Sequence, residues 1–312
     1  MATQSLSSLV ETELDQRLQE AHVRILAKHA PGTHQRRVRW SGGETQVLEL
    51  GAGGPPVVLI HGGMGDAFQW APIMPALARR YHVYAVDRPG HGLADPFDYT
   101  QKDFPTVGRK FLGEILDALG LNTVAIVANS MGGYWSVFYA IDAPARVSRL
   151  VLVGTPAGTK RAIPLQLRMI RWPLVGALIR SFMSKPTRES TRDFWKQILV
   201  AHPERLDEEL LDAVVCSQRR NVSSWFSLLE CMVDAGGFRR ELVIGERWKA
   251  LQVPVVFLWG EKDAFDSPAH GERIAAHIPA GGRLVRIPDA GHLPWLDDPA
   301  RVISELERAL EA

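Results

Sequence analysis

Short apolar runs that alternate with helical patterns constrain the fold of this chain more than any other feature. Each run is unbroken, as in strands that are buried on both faces, and amphipathic or turn-rich stretches separate one run from the next. Strands of this kind usually lie parallel in one sheet, with helices as the connections. The sequence therefore predicts an α/β fold, with a mostly parallel central sheet and helices on both faces. The predicted strands are Val57–His61, Val83–Asp87, Val124–Asn129, Leu150–Gly154, Val255–Trp259 and Leu284–Ile287.

Helical patterns lie between these strands and after the last one. In Phe68–Arg80 and in Val107–Leu119 the apolar residues recur with helical spacing, and Gly120 ends the second pattern. A third pattern begins at Asp298, a suitable N-cap residue, which Pro299 follows at the first helical position. We expect these helices to cover the faces of the sheet.

The interval 155–250 breaks the alternation. It contains no convincing strand and is rich in aromatic and basic residues. We interpret it as a helical cap that is inserted between two strands of the sheet. The core of the α/β fold would then comprise residues 34–154 and 251–312, and residues 1–33 would form an N-terminal helical extension.

The first part of the chain predicts a helix and then a hairpin. Leu6–Lys28 has an apolar stripe with a period near 3.6, and we expect this helix to pack on the body of the protein. A dimerisation helix or a membrane-surface helix is the alternative, although the charges on its polar face are of both signs. Arg36–Trp40 and Thr45–Leu50 flank the turn residues Ser41–Glu44, which indicates a β-hairpin.

The composition excludes several classes of protein. Lys plus Arg total 36 and Asp plus Glu total 35, so there is no basic surplus for nucleic acid or an anionic membrane. No run approaches the roughly 18 apolar residues of a membrane-spanning helix, and the start of the chain lacks a secretory signal pattern. Cys216 and Cys231 fit neither a disulfide scaffold nor a metal site. We expect buried thiols in a reduced compartment, and a cytoplasmic protein.

The sharpest chemical signal is Ser130, which stands between a predicted strand and a helical pattern. Val124–Asn129 leads into this serine, with Ala128 two positions before it and Gly132 two positions after it. A serine on such a sharp turn needs small neighbours at these positions, because larger side chains would collide. The alternative is a serine in a phosphate-binding or purely structural turn.

This string resembles the nucleophile elbow G-x-S-x-G of the α/β-hydrolases, with Ala128 in place of the first glycine. In that family the chain order is serine, acid, histidine. The resemblance implies Ser130 as the nucleophile, Asp263 as the acid and His292 as the base. Both downstream loops follow predicted strands, where the active sites of open α/β sheets lie.

Other acidic residues in the two downstream loops leave alternatives open. A serine hydroxyl is a weak nucleophile until a base takes its proton, and the base needs an acid to orient it. Asp266 is the fallback for that acid. Asp289 and Asp297 would be loop-capping residues if they have no part in the reaction.

The loop His61–Gly65 is similar to the oxyanion loop of the family. In α/β-hydrolases one backbone N–H comes from this loop and another from the residue after the nucleophile. The resemblance implies Gly63 and Met131 as the two donors, with Met64 as the alternative to Gly63. His61 would be structural, since the family's His-Gly pair only starts this loop.

The segment Asp87–Asp95 looks like the family's D-x-x-G-x-G-x-S turn, with Ala94 where serine is usual. The resemblance implies a structural role for Asp87 and for the glycines of this turn. We expect Arg88 to be a surface or loop-tying residue and not a ligand of the substrate.

Within this family, Asn129–Gly133 and His61–Gly63 look most like the corresponding strings of the meta-cleavage-product hydrolases, which split a carbon–carbon bond in vinylogous 1,5-diketones. The oxyanion loop here lacks their G-P-G-A-like continuation, and Leu293 follows His292 where tryptophan is typical. Those enzymes also use a cap arginine to bind the carboxylate of the substrate. The candidates here are Arg168, Arg171, Arg188 and Arg219.

Ester hydrolysis needs fewer groups than carbon–carbon cleavage, so we expect a serine hydrolase that cleaves a carboxylic ester or a related acyl compound. Carbon–carbon hydrolysis is the alternative, and a non-catalytic small-molecule-binding protein is the rival from another class. The expected substrate is small and hydrophobic, with Asn129, Trp135 and Trp225 as pocket candidates unless they belong to the core. The resemblance implies no cofactor and no metal. No nucleic-acid or membrane partner is expected, and a homo-oligomer stays open.

Overall fold

One eight-stranded sheet forms the centre of the molecule, and a two-stranded ribbon lies apart from it. The computed structural model describes residues 6–172 and 174–311. The strands in chain order are β1 (His34–Trp40), β2 (Gly43–Leu50), β3 (Pro56–Ile60), β4 (His82–Val86), β5 (Val124–Asn129), β6 (Val147–Val153), β7 (Val233–Asp234), β8 (Gly237–Phe238), β9 (Val255–Gly260) and β10 (Gly282–Ile287).

The order of strands in the sheet is β1-β2-β4-β3-β5-β6-β9-β10. All pairs from β4 to β10 are parallel, whereas β1 and β2 join the sheet by antiparallel pairing. The inner strands are almost wholly buried, because helices cover them and their residues are mostly Val, Ile and Leu. The predicted α/β architecture is thus confirmed.

The helices are distributed between the sheet and the interval after β6. Helices α3, α4, α10 and α12 pack on strands of the sheet, whereas α5 to α9 lie between β6 and β9. The helices are α1 (Leu6–His29), α2 (Met74–Ala78), α3 (Phe104–Ala118), α4 (Ser130–Asp142), α5 (Leu165–Met169), α6 (Val175–Met183), α7 (Arg188–Ile198), α8 (Glu208–Arg220), α9 (Val222–Met232), α10 (Pro268–Ala276), α11 (Pro294–Asp297) and α12 (Pro299–Glu311).

The expectation of one continuous helix over Phe68–Arg80 was wrong. A single 3₁₀ turn covers Ala67–Trp70, and only the short α2 follows it. Pro72 and Pro75 explain the break, because proline has no N–H to donate and its ring clashes with the preceding helical turn. The C-terminal helix does begin as expected, with the Asp298 carboxylate accepting a hydrogen bond from a backbone N–H in its first turn.

Three smaller expectations also need correction. The hairpin turn is shorter than Ser41–Glu44, because Trp40 already pairs with Gly43. The interval 155–250 contains the ribbon of β7 and β8 in addition to its helices. Cys216 and Cys231 are free thiols that are half-buried and not fully buried. No helix in the described ranges is both long and apolar enough to cross a membrane.

Helix α1 packs against α8, which belongs to the interval 155–250. Leu18 and Ile25 of α1 are fully buried. At the end of α1, Lys28 Nζ and His29 Nε2 lie 2.7 Å and 2.8 Å from a carboxylate oxygen of Asp207. This aspartate is the N-cap residue of α8, so these two contacts connect the helices at one end.

The other end of α8 is attached to α1 and to the core at once. Arg220, the last residue of α8, forms an ion pair with Asp15 of α1. Its Nη1 also donates hydrogen bonds to the carbonyl oxygens of Gly92 (3.2 Å) and Ala94 (2.8 Å), which follow β4. Both ends of α8 are therefore fixed by side chains from outside the interval 155–250.

Candidate active site

Ser130 lies at the abrupt turn where β5 ends and α4 begins. Its φ of 51° is in the left-handed region, which is strained for a residue other than glycine. Gly132 allows the carbonyl of Ile60 in β3 to come close, because a Cβ at this glycine would lie 2.6 Å from that oxygen. The close approach of β3 therefore explains why the sequence pattern has a small residue two positions after the serine.

Asp263 and His292 come together at the ends of β9 and β10. Nδ1 of His292 lies 2.9 Å from Oδ2 of Asp263, and both side chains are buried. The same Oδ2 accepts hydrogen bonds from the N–H (2.9 Å) and the hydroxyl (2.8 Å) of Thr155, and Oδ1 accepts one from the N–H of Phe265 (2.9 Å). These bonds fix the orientation of the carboxylate and compensate for its loss of water.

The bond to Asp263 determines which nitrogen of His292 can act as a base. A carboxylate accepts hydrogen bonds, so Nδ1 carries the proton and Nε2 is an acceptor. Nε2 is buried and has no hydrogen-bond partner within the described part of the chain. Phe265 packs on the imidazole, with 4.2 Å between ring centroids, and it lines the same cavity as Ser130. His292 Nε2 is therefore an acceptor without a partner, next to a residue that lines the cavity of Ser130.

The fallback acid Asp266 does not contact His292. Its carboxylate accepts hydrogen bonds from Thr159 Oγ1 (2.9 Å) and Lys160 Nζ (2.7 Å), and it pairs with His270 Nδ1 (2.6 Å). Burial raises the pKa of this carboxyl group, but the hydrogen bonds from Lys160, His270, the Ser267 backbone and Thr159 together hold the pKa below its usual value. Asp266 is thus a structural residue that ties the loop after β9 to residues 159–160.

The two other aspartates contact different groups. Asp289 is exposed and pairs with Lys262 and with His202. Asp297 is buried, and its carboxylate connects two loops, one of which precedes His292 directly. The backbone N–H groups that donate to Asp297 are those of Ala201, His202 and Gly291. Asp297 thus has the loop-capping contacts that were expected of it, whereas Asp289 forms ion pairs with side chains.

The loop His61–Gly65 lies directly against Ser130 and Met131. A Cβ at Gly62 would lie 2.9 Å from Cβ of Ser130, and a Cβ at Gly63 would lie 2.9 Å from Sδ of Met131. The loop backbone can approach the serine only because these residues are glycines. Met64 follows with a φ of 55°, a conformation that its side chain rarely adopts.

Two residues near this loop are buried and hydrogen-bonded to the backbone. The Asp87 carboxylate accepts hydrogen bonds from the N–H groups of Ala67 (2.8 Å) and Leu93 (2.9 Å). Burial and the nearby Asp66 carboxylate raise its pKa to about 8. Arg88 is completely buried and is not a surface residue; its side chain donates to the carbonyl oxygens of His61 and Gly62.

Two cavities lie at or near Ser130. The cavity that contains the serine has a volume of about 40 Å³, and its walls include Met131, Thr155 and Phe265. A larger cavity of about 270 Å³ is lined mainly by apolar side chains, and Met64 is part of its wall. Trp225 lines a small space next to Met64, and its ring would be 3.1 Å from a Cβ at Gly63.

Two of the three pocket candidates belong elsewhere. Trp135 is fully buried, and its ring fills the space above Gly108 of α3. Asn129 is also buried, and its Nδ2 donates to the carbonyl oxygens of Val153 (2.6 Å) and His292 (3.2 Å). Asn129 therefore connects the ends of β5 and β6 to the histidine loop. Thr155 and Phe265, which no sequence pattern had indicated, line the cavity of Ser130 and donate hydrogen bonds to the carboxylate of Asp263.

The four cap arginines do not reach the cavity of Ser130. None of them is among the residues that line it in the described ranges. Arg171 pairs with Glu230, Arg188 pairs with Asp212, and Arg219 donates to a backbone carbonyl oxygen. Arg168 lies on α5 and is half-buried.

The geometry can be compared with known proteins. A family model of the alpha/beta hydrolase fold matches residues 55–299, which is most of the chain. This protein belongs to the α/β-hydrolase family. It is a hydrolase of the α/β fold, and the matched range includes Ser130, the loop His61–Gly65, Asp263 and His292.

One relative by sequence and two solved structures of similar fold show what this α/β-hydrolase resembles. It is 31% identical over 238 residues to a 2-hydroxy-6-oxononadienedioate/2-hydroxy-6-oxononatrienedioate hydrolase of Pseudomonas putida, covering 74% of this chain and 79% of that protein. Its fold is similar to that of the carboxylesterase CesB from Bacillus subtilis, with a TM-score of 0.75, 21% identity, and 96% and 98% of the chains covered. It is also similar to the 2-hydroxy-6-oxo-6-phenylhexa-2,4-dienoate hydrolase of Rhodococcus sp. strain RHA1, with a TM-score of 0.72, 22% identity, and 90% and 100% covered.

Proposed function

We propose that this α/β-hydrolase cleaves a small hydrophobic carboxylic ester or related acyl compound through an acyl-enzyme on Ser130. The observation that carries this proposal is the lining of the serine's cavity. Among the described residues of that lining, Lys160 is the one with a basic side chain, and its Nζ lies 2.7 Å from Asp266. The cavity therefore supplies an apolar surface for an uncharged acyl group and no free cation for a substrate carboxylate.

The proposed reaction assigns one role to each group. His292 Nε2 takes the proton of the Ser130 hydroxyl as the oxygen attacks the ester carbonyl, and Asp263 stabilises the imidazolium that forms. The N–H groups of Gly63 and Met131 bind the oxyanion of the tetrahedral intermediate. The protonated histidine then gives its proton to the departing alkoxide. Water that the same histidine activates releases the acid from Ser130. No hydrogen bond joins Ser130 to His292 in this structure, and such bonds often tighten only when substrate binds.

Carbon–carbon hydrolysis is the second candidate, because the Pseudomonas putida relative is named for dienedioate and trienedioate substrates. That reaction requires the leaving carbon to be protonated and the acidic substrate to be held by a cation. To supply this cation, Arg171, Arg188 or Arg219 would have to leave its present partner, and Arg168 would have to reach a cavity that it does not line. We therefore place ester hydrolysis first.

One set of assays tests both candidates. Purified protein is treated with a fluorophosphonate probe and then assayed with short-chain p-nitrophenyl esters and with a 2-hydroxy-6-oxo-dienoate. We expect covalent labelling of Ser130, ester turnover, and a loss of at least about 10³-fold in ester kcat for Ser130→Ala. Ser136→Ala is the matched control, because Ser136 lies on the same helix and donates only to the carbonyl of Gly132.

Each other outcome points to a different function. Rapid consumption of the dienoate with negligible ester turnover would favour carbon–carbon hydrolysis. Probe labelling that persists in Ser130→Ala would contradict the nucleophile. Folded wild-type protein that is never labelled and turns over neither substrate would favour a binding protein on this scaffold.

A further inference from the structure

Arg88 is a fully buried cation without an acidic partner. Its side chain has no exposed surface, and no carboxylate of the described residues lies within ion-pair distance of it. Its guanidinium carbon lies 5.1 Å from the ring of Trp135, and burial lowers its pKa to about 10, so it still carries a charge at neutral pH. Burial of an unpaired charge is costly, and proteins retain such groups mostly where the charge has a use.

The hydrogen bonds of Arg88 converge on the oxyanion loop. Nε donates to the carbonyl oxygen of His61 (3.1 Å), and Nη2 donates to the carbonyl oxygen of Gly62 (2.8 Å). Nη2 also lies 3.2 Å from Nε2 of His91, which accepts because its Nδ1 is paired with a carbonyl oxygen. The side chain of Arg88 thus donates to three neutral acceptors, and two of these are the carbonyl oxygens of consecutive residues.

His61 adds a second hydrogen bond to the same carbonyl oxygen. The backbone N–H of Arg88 donates to Nε2 of His61 (2.8 Å), so the proton of this ring is on Nδ1. Nδ1 then donates to the carbonyl oxygen of Gly62 at 2.8 Å. Burial and the charge of Arg88 hold the pKa of His61 well below its usual value, so the ring is neutral. The Gly62 oxygen therefore accepts two bonds, one of them from a cation.

The carbonyl of Gly62 and the N–H of Gly63 belong to one peptide group. A cation at the oxygen end draws electron density from the nitrogen and makes the N–H a stronger donor, as in other chains of hydrogen bonds. Under the proposed function, this N–H faces the oxyanion that forms on the substrate. The glycine itself lies against Met131, whose N–H is the other donor.

We propose that Arg88 is a positioning residue of the oxyanion hole, which fixes the Gly62–Gly63 peptide and polarises its N–H toward the tetrahedral intermediate. This inference rests on the proposed function, because it needs an oxyanion on an acyl group attached to Ser130. It extends that function by assigning part of the stabilisation to a side chain that does not touch the substrate. The positive charge acts through one peptide group and is shielded from water throughout.

The test compares Arg88→Met and Arg88→Lys with a matched control, Tyr99→Phe. Met keeps the unbranched stem without the charge, and Lys keeps the charge with a different reach. Tyr99→Phe removes a buried hydrogen bond from the hydroxyl to the carbonyl oxygen of Pro89 (2.8 Å), so it weakens the same loop but leaves Gly62 unchanged. Thermal unfolding and fluorophosphonate titration give the folded and reactive fraction of each variant.

We expect kcat for p-nitrophenyl esters to fall about 30- to 100-fold in Arg88→Met and about 5- to 10-fold in Arg88→Lys, per reactive site, with KM changed less than about threefold. This loss is smaller than the roughly 10²- to 10³-fold cost of removing an oxyanion donor outright. A trifluoromethyl ketone, which forms a tetrahedral adduct on Ser130, should lose affinity in the same proportion. The corresponding unreactive alcohol should not lose affinity.

The ester carbonyl stretch of a slowly hydrolysed acyl-enzyme can be measured by infrared spectroscopy, and a loss of stability alone would not shift it. The ester carbonyl stretch should rise in Arg88→Lys relative to wild type, since the donors are weaker, and should stay unchanged in Tyr99→Phe. Because Arg88→Lys retains the buried charge, this measurement decides the question even where Arg88→Met does not fold.

Three outcomes would overturn the inference in distinguishable ways. Folded Arg88 variants with unchanged kcat and an unchanged carbonyl stretch would refute the role of Arg88 alone. A loss of kcat that Tyr99→Phe reproduces at equal loss of stability would assign Arg88 to loop packing. Wild-type protein that the fluorophosphonate does not label at Ser130 would remove the proposed function, and the inference with it.

Discussion

His292 and His61 are both buried imidazoles in loops that follow parallel strands, yet their neighbours carry opposite charges. His292 donates from Nδ1 to the carboxylate of Asp263, and its Nε2 has no partner within the described residues. His61 also donates from Nδ1, but to a carbonyl oxygen, and its Nε2 accepts the N–H of Arg88. The neighbour of the first ring is thus the carboxylate of Asp263, whereas burial and the cation of Arg88 beside the second ring hold the pKa of His61 well below its usual value.

The comparison shows that burial of a histidine alone does not indicate its role. A base needs an unoccupied nitrogen and a neighbour that stabilises the proton it gains. His292 has both. His61 has neither, since both of its nitrogens are occupied and the guanidinium of Arg88 is adjacent. The sign of the neighbouring charge and the occupancy of Nε2 therefore separate the two residues.

Replacing each histidine by asparagine should separate them most clearly. The His292→Asn variant loses the base, and we expect its ester kcat to fall on the order of 10⁴-fold or more. His61→Asn keeps an N–H donor near Gly62, so we expect a fall of about tenfold. Steady-state kinetics on folded protein measures both, and comparable losses in the two variants would abolish the distinction.

Replacing the carboxylate beside His292 should have the next largest effect on kcat. Asp263→Asn replaces an oxygen that accepts from Nδ1 by a group that can donate, and we expect kcat to fall about 10³- to 10⁴-fold through the wrong tautomer. Asp266→Asn is the control in the same loop. It should change kcat less than about threefold while lowering the free energy of unfolding by about 1–3 kcal/mol, because a buried charged network is broken.

For this prediction, kcat is measured alongside urea unfolding of both variants. An Asp266→Asn variant that is as inactive as Asp263→Asn would transfer the role of the acid to the other carboxylate. The hydrogen bonds of Thr155 to Asp263 would then have a structural meaning only.

The pH dependence of stability should show the smallest effect. The folded-state pKa of His61 lies well below 6.5, so below this pH the unfolded chain binds a proton that the folded protein does not. The contribution of His61 to stability is therefore complete above about pH 6.5 and is lost as the pH falls. We expect wild type to lose about 1 kcal/mol more than His61→Asn between pH 6.5 and 5.5.

Urea unfolding at pH 7.5, 6.5 and 5.5 measures this difference. Identical pH profiles for wild type and His61→Asn would show that the His61 ring accepts a proton in the folded state. That result would contradict the neutral ring on which the contrast with His292 depends.

The sequence predicted the part of the site that local patterns determine. Ser130 could be located because a strand, a sharp turn and a helix leave their signatures in adjacent residues, and Asp263 and His292 were identified by their order after later strands. The close contact between these two side chains could not be derived, since it depends on how two loops fold over the sheet. The structure places them 2.9 Å apart, and their roles stay predictions.

Side-chain directions were beyond the reach of the sequence. Trp135 and Asn129 stand near the serine in the chain, but the helix and the strand turn their side chains into the core. Arg88 shows the reverse case, because an arginine in a loop is usually exposed and its complete burial depends on the packing of Trp135 and of the oxyanion loop. The missed role of Thr155 had one usable signal: it follows the end of β6, at the edge where the other site loops lie.

The contacts at both ends of α8 determine which segments of this enzyme can be exchanged with those of its relatives. A segment inserted between two strands of a sheet can often be exchanged between relatives as a module, since its two junctions are its main connections to the core. Here α1, which precedes the sheet by sequence, forms ion pairs with both ends of α8, and Arg220 also binds backbone carbonyl groups of the core. A chimera that takes residues 155–250 alone would leave Asp15, Lys28 and His29 without their partners. The unit of exchange in this protein is therefore discontinuous, and it consists of the inserted segment together with α1.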